Sequence, residues 1–95
     1  MEKAKDKKSG SISGIRQTER LNQRQNHLLG KNIKRLRVEQ GLRNSDVVCQ
    51  LQLRGIGISS STYCKVESGQ NNPTVDMIMA LAQIYQCEYE EFFRE

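Results

Sequence analysis

From His27 onward the apolar positions fall into helical registers. Leu29, Ile33 and Leu36 stand four and three residues apart, which places them on one helical face, with Lys31, Lys34 and Arg35 mainly elsewhere. Gly41 ends this first helix and Leu42 re-enters the core. A second helix is predicted over about Asn44–Leu53. Asn44 or Arg43 stands at its start, Asp46 suits its positive first turn, and Val47, Val48 and Leu51 form its buried stripe. Arg54-Gly55-Ile56-Gly57-Ile58 reads as a glycine-rich turn with apolar pins; a short strand there would lack a pairing partner. The run Ser59 to Gly69 reads as a third helix, capped by Ser59 or Ser60, with Tyr63 and Val66 on its apolar face. Gly69-Gln70-Asn71-Asn72-Pro73 is a loop. Thr74 caps a fourth helix whose stripe is Met77, Ile78, Leu81 and Ile84, and a short fifth spans roughly Tyr89 to Phe93. The expected class is all-α, a compact five-helix domain.

Residues 1–26 break this pattern. Ile12, Ile15 and Leu21 are isolated among polar and charged residues, so residues 1–26 are expected to form a basic, flexible N-terminal arm and residues 27–95 the folded domain. Gln17 to Gln25 lacks strong breakers and is compatible with a turn or two of helix. The 95 residues suffice for one small domain with a modest core.

Charge sharpens the division. Residues 1–43 hold 12 Lys or Arg against 4 Asp or Glu, and residues 44–95 hold 3 against 7. A basic half beside an acidic half suggests one surface facing a polyanion and a second with another task. No long apolar run suggests a membrane span, and no apolar stretch follows the basic start as in a secretory signal. Cys49, Cys64 and Cys87 are odd in number and lack ligand-like spacing. They read as reduced thiols of a cytoplasmic protein, with Cys49 and Cys64 as candidate small core hydrophobes.

Catalytic classes rank low. His27 is the only histidine and precedes the folded core, no Cys/His cluster suggests a zinc site, and Gly55 with Gly57 lacks the rest of a phosphate-loop signature. No cofactor is expected. The third helix offers a different chemistry: short hydroxyls and one cation pointing away from its apolar face, suited to base edges and phosphates. A solvated helix has the same pattern, so its neighbours decide.

Those neighbours carry a resemblance. Ile33-Lys34-Arg35-Leu36-Arg37, Gly41-Leu42, Val47-Val48, Ile58-Ser59, Lys65-Val66-Glu67-Ser68-Gly69, Pro73, the Leu81 to Tyr85 segment and Tyr89-Glu90-Glu91-Phe92-Phe93 occur in an ordered set over about residues 28–93. The set resembles the phage-repressor-like helix-turn-helix family, which includes the lambda and 434 repressors and Cro proteins. The chain departs from it between the two central helices, where Gln52-Leu53-Arg54-Gly55-Ile56 add about five residues to the usual short turn. In this it is similar to a longer-linker branch.

The resemblance implies that the third helix, about residues 60–68, enters the major groove, with Ser60, Ser61, Thr62 and Lys65 facing bases or nearby phosphates. Asn44, with Arg43 before it, stands where the family often has glutamine, and would anchor phosphate or brace the third helix. Gln70, Asn71 and Asn72 lie in the loop that commonly approaches phosphate. Arg37 and Glu67 would form a partly buried structural ion pair tying the first helix to the third. The expected function is a sequence-specific double-stranded-DNA-binding transcriptional regulator, a repressor of bacterial or phage origin acting as a homodimer. The dimer surface would be the fourth and fifth helices, unless Tyr89, Phe92 and Phe93 are all core. An antitoxin bound to a toxin, or a protein-partner adaptor with the same fold, is the alternative.

Overall fold

In the computed structural model, which describes residues 19–23 and 27–95, the chain folds as four α-helices and a terminal 3-10 helix. They are α1 (Leu28–Glu39), α2 (Asn44–Leu53), α3 (Ser60–Glu67), α4 (Val75–Tyr85) and the 3-10 helix Tyr89–Phe93. The expected fifth helix is therefore a single tight turn. Five residues between extended Glu88 and extended Arg94 are too few to build an α-helical ladder.

The helices begin by local chemistry. Ser59 Oγ accepts from the Thr62 amide at the start of α3, and Thr74 Oγ1 accepts from Met77 at the start of α4. At the start of α2, the Asp46 carboxylate accepts from the Arg43 amide at 2.9 Å. The four α-helices also end alike. Gly41, Gly55 and Gly69 adopt φ of 71°, 86° and 86°, and the residue after each turns its amide back onto the helix. Leu42 donates to Arg37, Ile56 to Leu51, and Gln70 to Lys65. Cys87 makes the same bond to Ala82, but there Gln86 holds the left-handed position with φ 54°.

The core gathers Leu29, Ile33 and Leu36 of α1, Val47, Val48 and Leu51 of α2, Tyr63 and Val66 of α3, and the Met77–Tyr85 stripe of α4, closed by Phe92. Ile56 and Ile58 of the link pack against it, so the glycine-rich turn is pinned as its sequence suggests. Cys49 and Cys64, candidates for small core positions, are instead exposed. Each lies one residue past a buried pair or anchor, and the helical rotation carries it out of the stripe. The C-terminal aromatics divide: Phe92 is fully buried, whereas Tyr89 and Phe93 are about half exposed.

The expected arm over residues 1–26 lies mostly outside the described residues. Glu19–Gln23 are described and are extended, not helical. They form a strap across the α3–α4 loop. Leu21 donates to Pro73 O at 2.9 Å, Val75 donates to Glu19 O at 2.8 Å, and Arg20 pairs with Thr74 in an antiparallel bridge. The Leu21 side chain packs on the core.

Candidate nucleic-acid interface

Helix α3 has two faces with separate tasks. Tyr63 and Val66 are buried, and the Tyr63 hydroxyl meets the Tyr85 hydroxyl at 2.9 Å. Burial pushes both phenols well above the usual tyrosine range, so both remain neutral donors and acceptors. The other face exposes Ser60, Ser61, Thr62, Cys64 and Lys65. The Thr62 hydroxyl accepts from Ser59 Oγ at 3.0 Å, which leaves its own O–H and a second lone pair unused by that bond. Lys65 makes no ion pair among the described residues.

The C-terminal end of α3 is held from α1. Arg37 Nε donates to Glu67 Oε2 at 2.7 Å and Arg37 Nη2 to Oε1 at 3.3 Å, a two-point pair whose side chains are 14% and 8% exposed. The same guanidinium donates to Leu42 O, so one residue links the α1 exit to α3. The Glu67 carboxylate raises the Arg37 pKa, against the opposing effect of burial. At Gly30 the two helices touch backbone to backbone: a Cβ there would lie 2.5 Å from the carbonyl oxygens of both Val66 and Glu67. The amino end of α1 thus abuts the carbonyl end of α3, a favourable meeting of opposite helix dipoles.

Gln23 completes this junction. Its side-chain carbonyl accepts from the Gly30 amide at 2.9 Å, and its Nε2 donates to Val66 O and Asn71 O at 2.9 and 2.7 Å. His27, the local N-cap of α1, is left-handed and makes no capping bond. A residue from the strap therefore caps α1, and satisfies a carbonyl at the end of α3 with the same amide.

The expected contacts outside α3 are engaged differently. Asn44 Nδ2 donates to Cys64 Sγ at 3.0 Å, bracing α2 against α3, while its Oδ1 is buried without a partner. Arg43 is highly exposed, and its guanidinium folds back onto Asp46 at 3.3 Å. The Arg43 amide first, and then the guanidinium, hold the Asp46 carboxyl below the usual aspartate range. Such an exposed pair is weak enough to open for another anion. Gln70 and Asn71 turn their amides onto Lys65 O, so those N–H groups point into the chain. Gln70 is exposed and Asn71 is half-buried, lining a cleft with Thr62. The Asn72 amide is spent on the strap, with Asn22 and the Gln23 backbone as partners.

Sequence reasoning missed Gly30, Gln23 and Arg20. Gly30 carried a signal, since a glycine inside an apolar helical register weakens the helix unless close packing requires it. Gln23 and Arg20 carried none, because most of their partners lie 43 to 52 residues away and Gln23 reaches Gly30 from outside the helix. Among the described residues, no group of three His, Cys, Asp or Glu is placed to hold a metal, and no helix is long and apolar enough to cross a membrane.

A helix-turn-helix family model matches residues 50–92, from the last turn of α2 through the link, α3 and α4 to the 3-10 helix. No curated protein and no solved structure matches the chain. The domain is thus all-α and carries a helix-turn-helix, a fold consistent with DNA-binding regulatory proteins in general.

Proposed function

We propose that this chain is a sequence-specific regulator of transcription that reads the major groove of double-stranded DNA with α3. The observation that carries the reading is the division of α3. Tyr63, Val66 and Glu67 hold one side in place, and Ser60, Ser61, Thr62 and Lys65 remain exposed around the rest of the helix. Lys65 reaches guanine acceptors or a phosphate, and the hydroxyls read bases at short range. Arg43, Asn44, Gln70 and Asn71 flank this face and serve as phosphate contacts or braces. The proposed mode is repression in the manner of the lambda, 434 and Cro-like proteins, by a cytoplasmic protein of bacterial or phage origin that occupies a promoter against polymerase.

A homodimer on a near-palindromic site supplies the specificity that one small domain lacks. Met79, 48% exposed on α4, and the exposed Tyr89 and Phe93 offer apolar surface for it. A second reading, an antitoxin or adaptor with this fold, is favoured by the same apolar surface, by Leu53 at 74% exposure, and by the single cation on the outer face of α3.

Selection of bound duplexes from a random pool separates the two. The regulator reading expects an enriched motif whose binding is weakened by Thr62→Ala and Lys65→Ala. No enriched motif removes that reading. A motif insensitive to both variants moves recognition away from α3.

A further inference from the structure

The strap lies beside the reading face. The two share a cleft of about 150 Å³, lined by Arg20 of the strap, Thr62 and Val66 of α3 and Asn71 of the loop, together with the apolar Ile56, Ile58 and Met77. The strap is extended, so successive side chains alternate in direction. Leu21 packs on the core and Gln23 enters the α1–α3 junction, while Arg20 and Asn22 turn the other way, each bonded to Asn72.

Arg20 is not needed to anchor the strap. Two backbone hydrogen bonds, the Leu21 side chain and the three bonds of Gln23 already do so. Its own tie is one exposed bond, Nη1 to Asn72 O at 3.2 Å, and it has no carboxylate partner among the described residues. Unlike Arg43, which is folded onto Asp46, Arg20 is a cation held in place with donors to spare. The face beside it has a single cation on α3 and exposed hydroxyls.

We propose that the strap is part of the DNA interface and that Arg20 binds a backbone phosphate of the duplex on the flank of α3. The inference rests on the DNA-binding reading above. A guanidinium suits the task because its planar fork matches phosphate oxygens and its charge persists at any working pH. The contact positions the domain and carries no base information, so it acts equally on all sequences.

The test is the salt dependence of binding by the full chain to a fluorescent 20-base-pair duplex of mixed sequence, read by anisotropy over stepped KCl. Each phosphate contact contributes about 0.9 to the slope of log affinity against log salt. Arg20→Gln is expected to lower that slope by about one, Arg20→Lys to retain most of it, and Lys65→Gln to serve as the comparison on α3. Hydrogen exchange at the Leu21 and Val75 amides, which pair the strap to the loop, is expected to match wild type in Arg20→Gln. An unchanged slope in Arg20→Gln, with a lowered one in Lys65→Gln, overturns the strap contact and leaves the α3 reading standing. Loss of Leu21 and Val75 protection also overturns it, since the effect would then come from undocking. Absence of salt-dependent binding by the wild type removes both.

Discussion

Helix α3 is held very differently at its two ends. At its carbonyl end, α1 meets it through a two-point ion pair, a glycine contact of backbone on backbone, and the Gln23 bracket. At its amino end, the link Arg54–Ser59 is largely exposed, and its ties are fewer: the turn at Gly55, the partly buried Ile56 and Ile58, and Gln52 Nε2 donating to Ile58 O. The difference shows which contacts orient α3. The α1–α3 junction does so, and the link only has to reach. A link longer than the usual turn is therefore compatible with a firmly placed α3, because loop-closure entropy rises only slowly with length.

Breaking the junction should cost most at its charges. Glu67→Ala leaves a mostly buried guanidinium unpaired and is expected to lower stability by about 3 kcal/mol, with Arg37→Ala similar. The double variant should cost clearly less than the sum of the two. Urea unfolding of the three proteins checks this, and strict additivity would show that the pair is not a functional unit.

Gly30→Ala ranks next, at roughly 2 to 3 kcal/mol, because the added methyl meets two carbonyl oxygens of α3 that no rotamer change can move. It would be an ordinary stabilising substitution in an isolated helix, so even its sign tests the close approach. In the link the effects shrink and separate. Gly55→Ala forces a side chain into φ 86° and should cost about 1 to 2 kcal/mol, although nothing lies within 4 Å of the new methyl. Gly57→Ala meets neither obstacle and is expected to be neutral or to stabilise by about 0.5 kcal/mol. Thermal unfolding of the pair reads the contrast. A large loss at Gly57 would mean that the link is as constrained as the junction.

Much of the helical frame was legible because it depends on neighbours in the chain. Glycines stop three helices, Ser59 and Thr74 begin two, and the apolar spacing marks the faces that pack. The exposure of Ser61 and Lys65 follows from the same periodicity, once Tyr63 and Val66 are assigned inward, whereas Ser60 and Thr62 are exposed because they stand in the first turn of α3. The end of α4 was less legible, since Gln86 occupies a conformation that glycine usually marks. Cys49 and Cys64 were misplaced because a small apolar side chain next to a buried stripe fits either side of it.

The amino-acid sequence by itself determined where the helices lie, which face of each is apolar, and which short polar side chains α3 presents. These follow from residue-by-residue propensity and a repeat of a few positions. Only the tertiary structure decided that α1 and α3 touch through Gly30, that Gln23 caps a helix outside its own segment, and that Arg20 and Thr62 line one cleft. Those relations join residues up to about fifty positions apart, and no local pattern encodes them. They arise when burial of the shared core brings distant backbone groups together and each buried donor or acceptor must find a partner there.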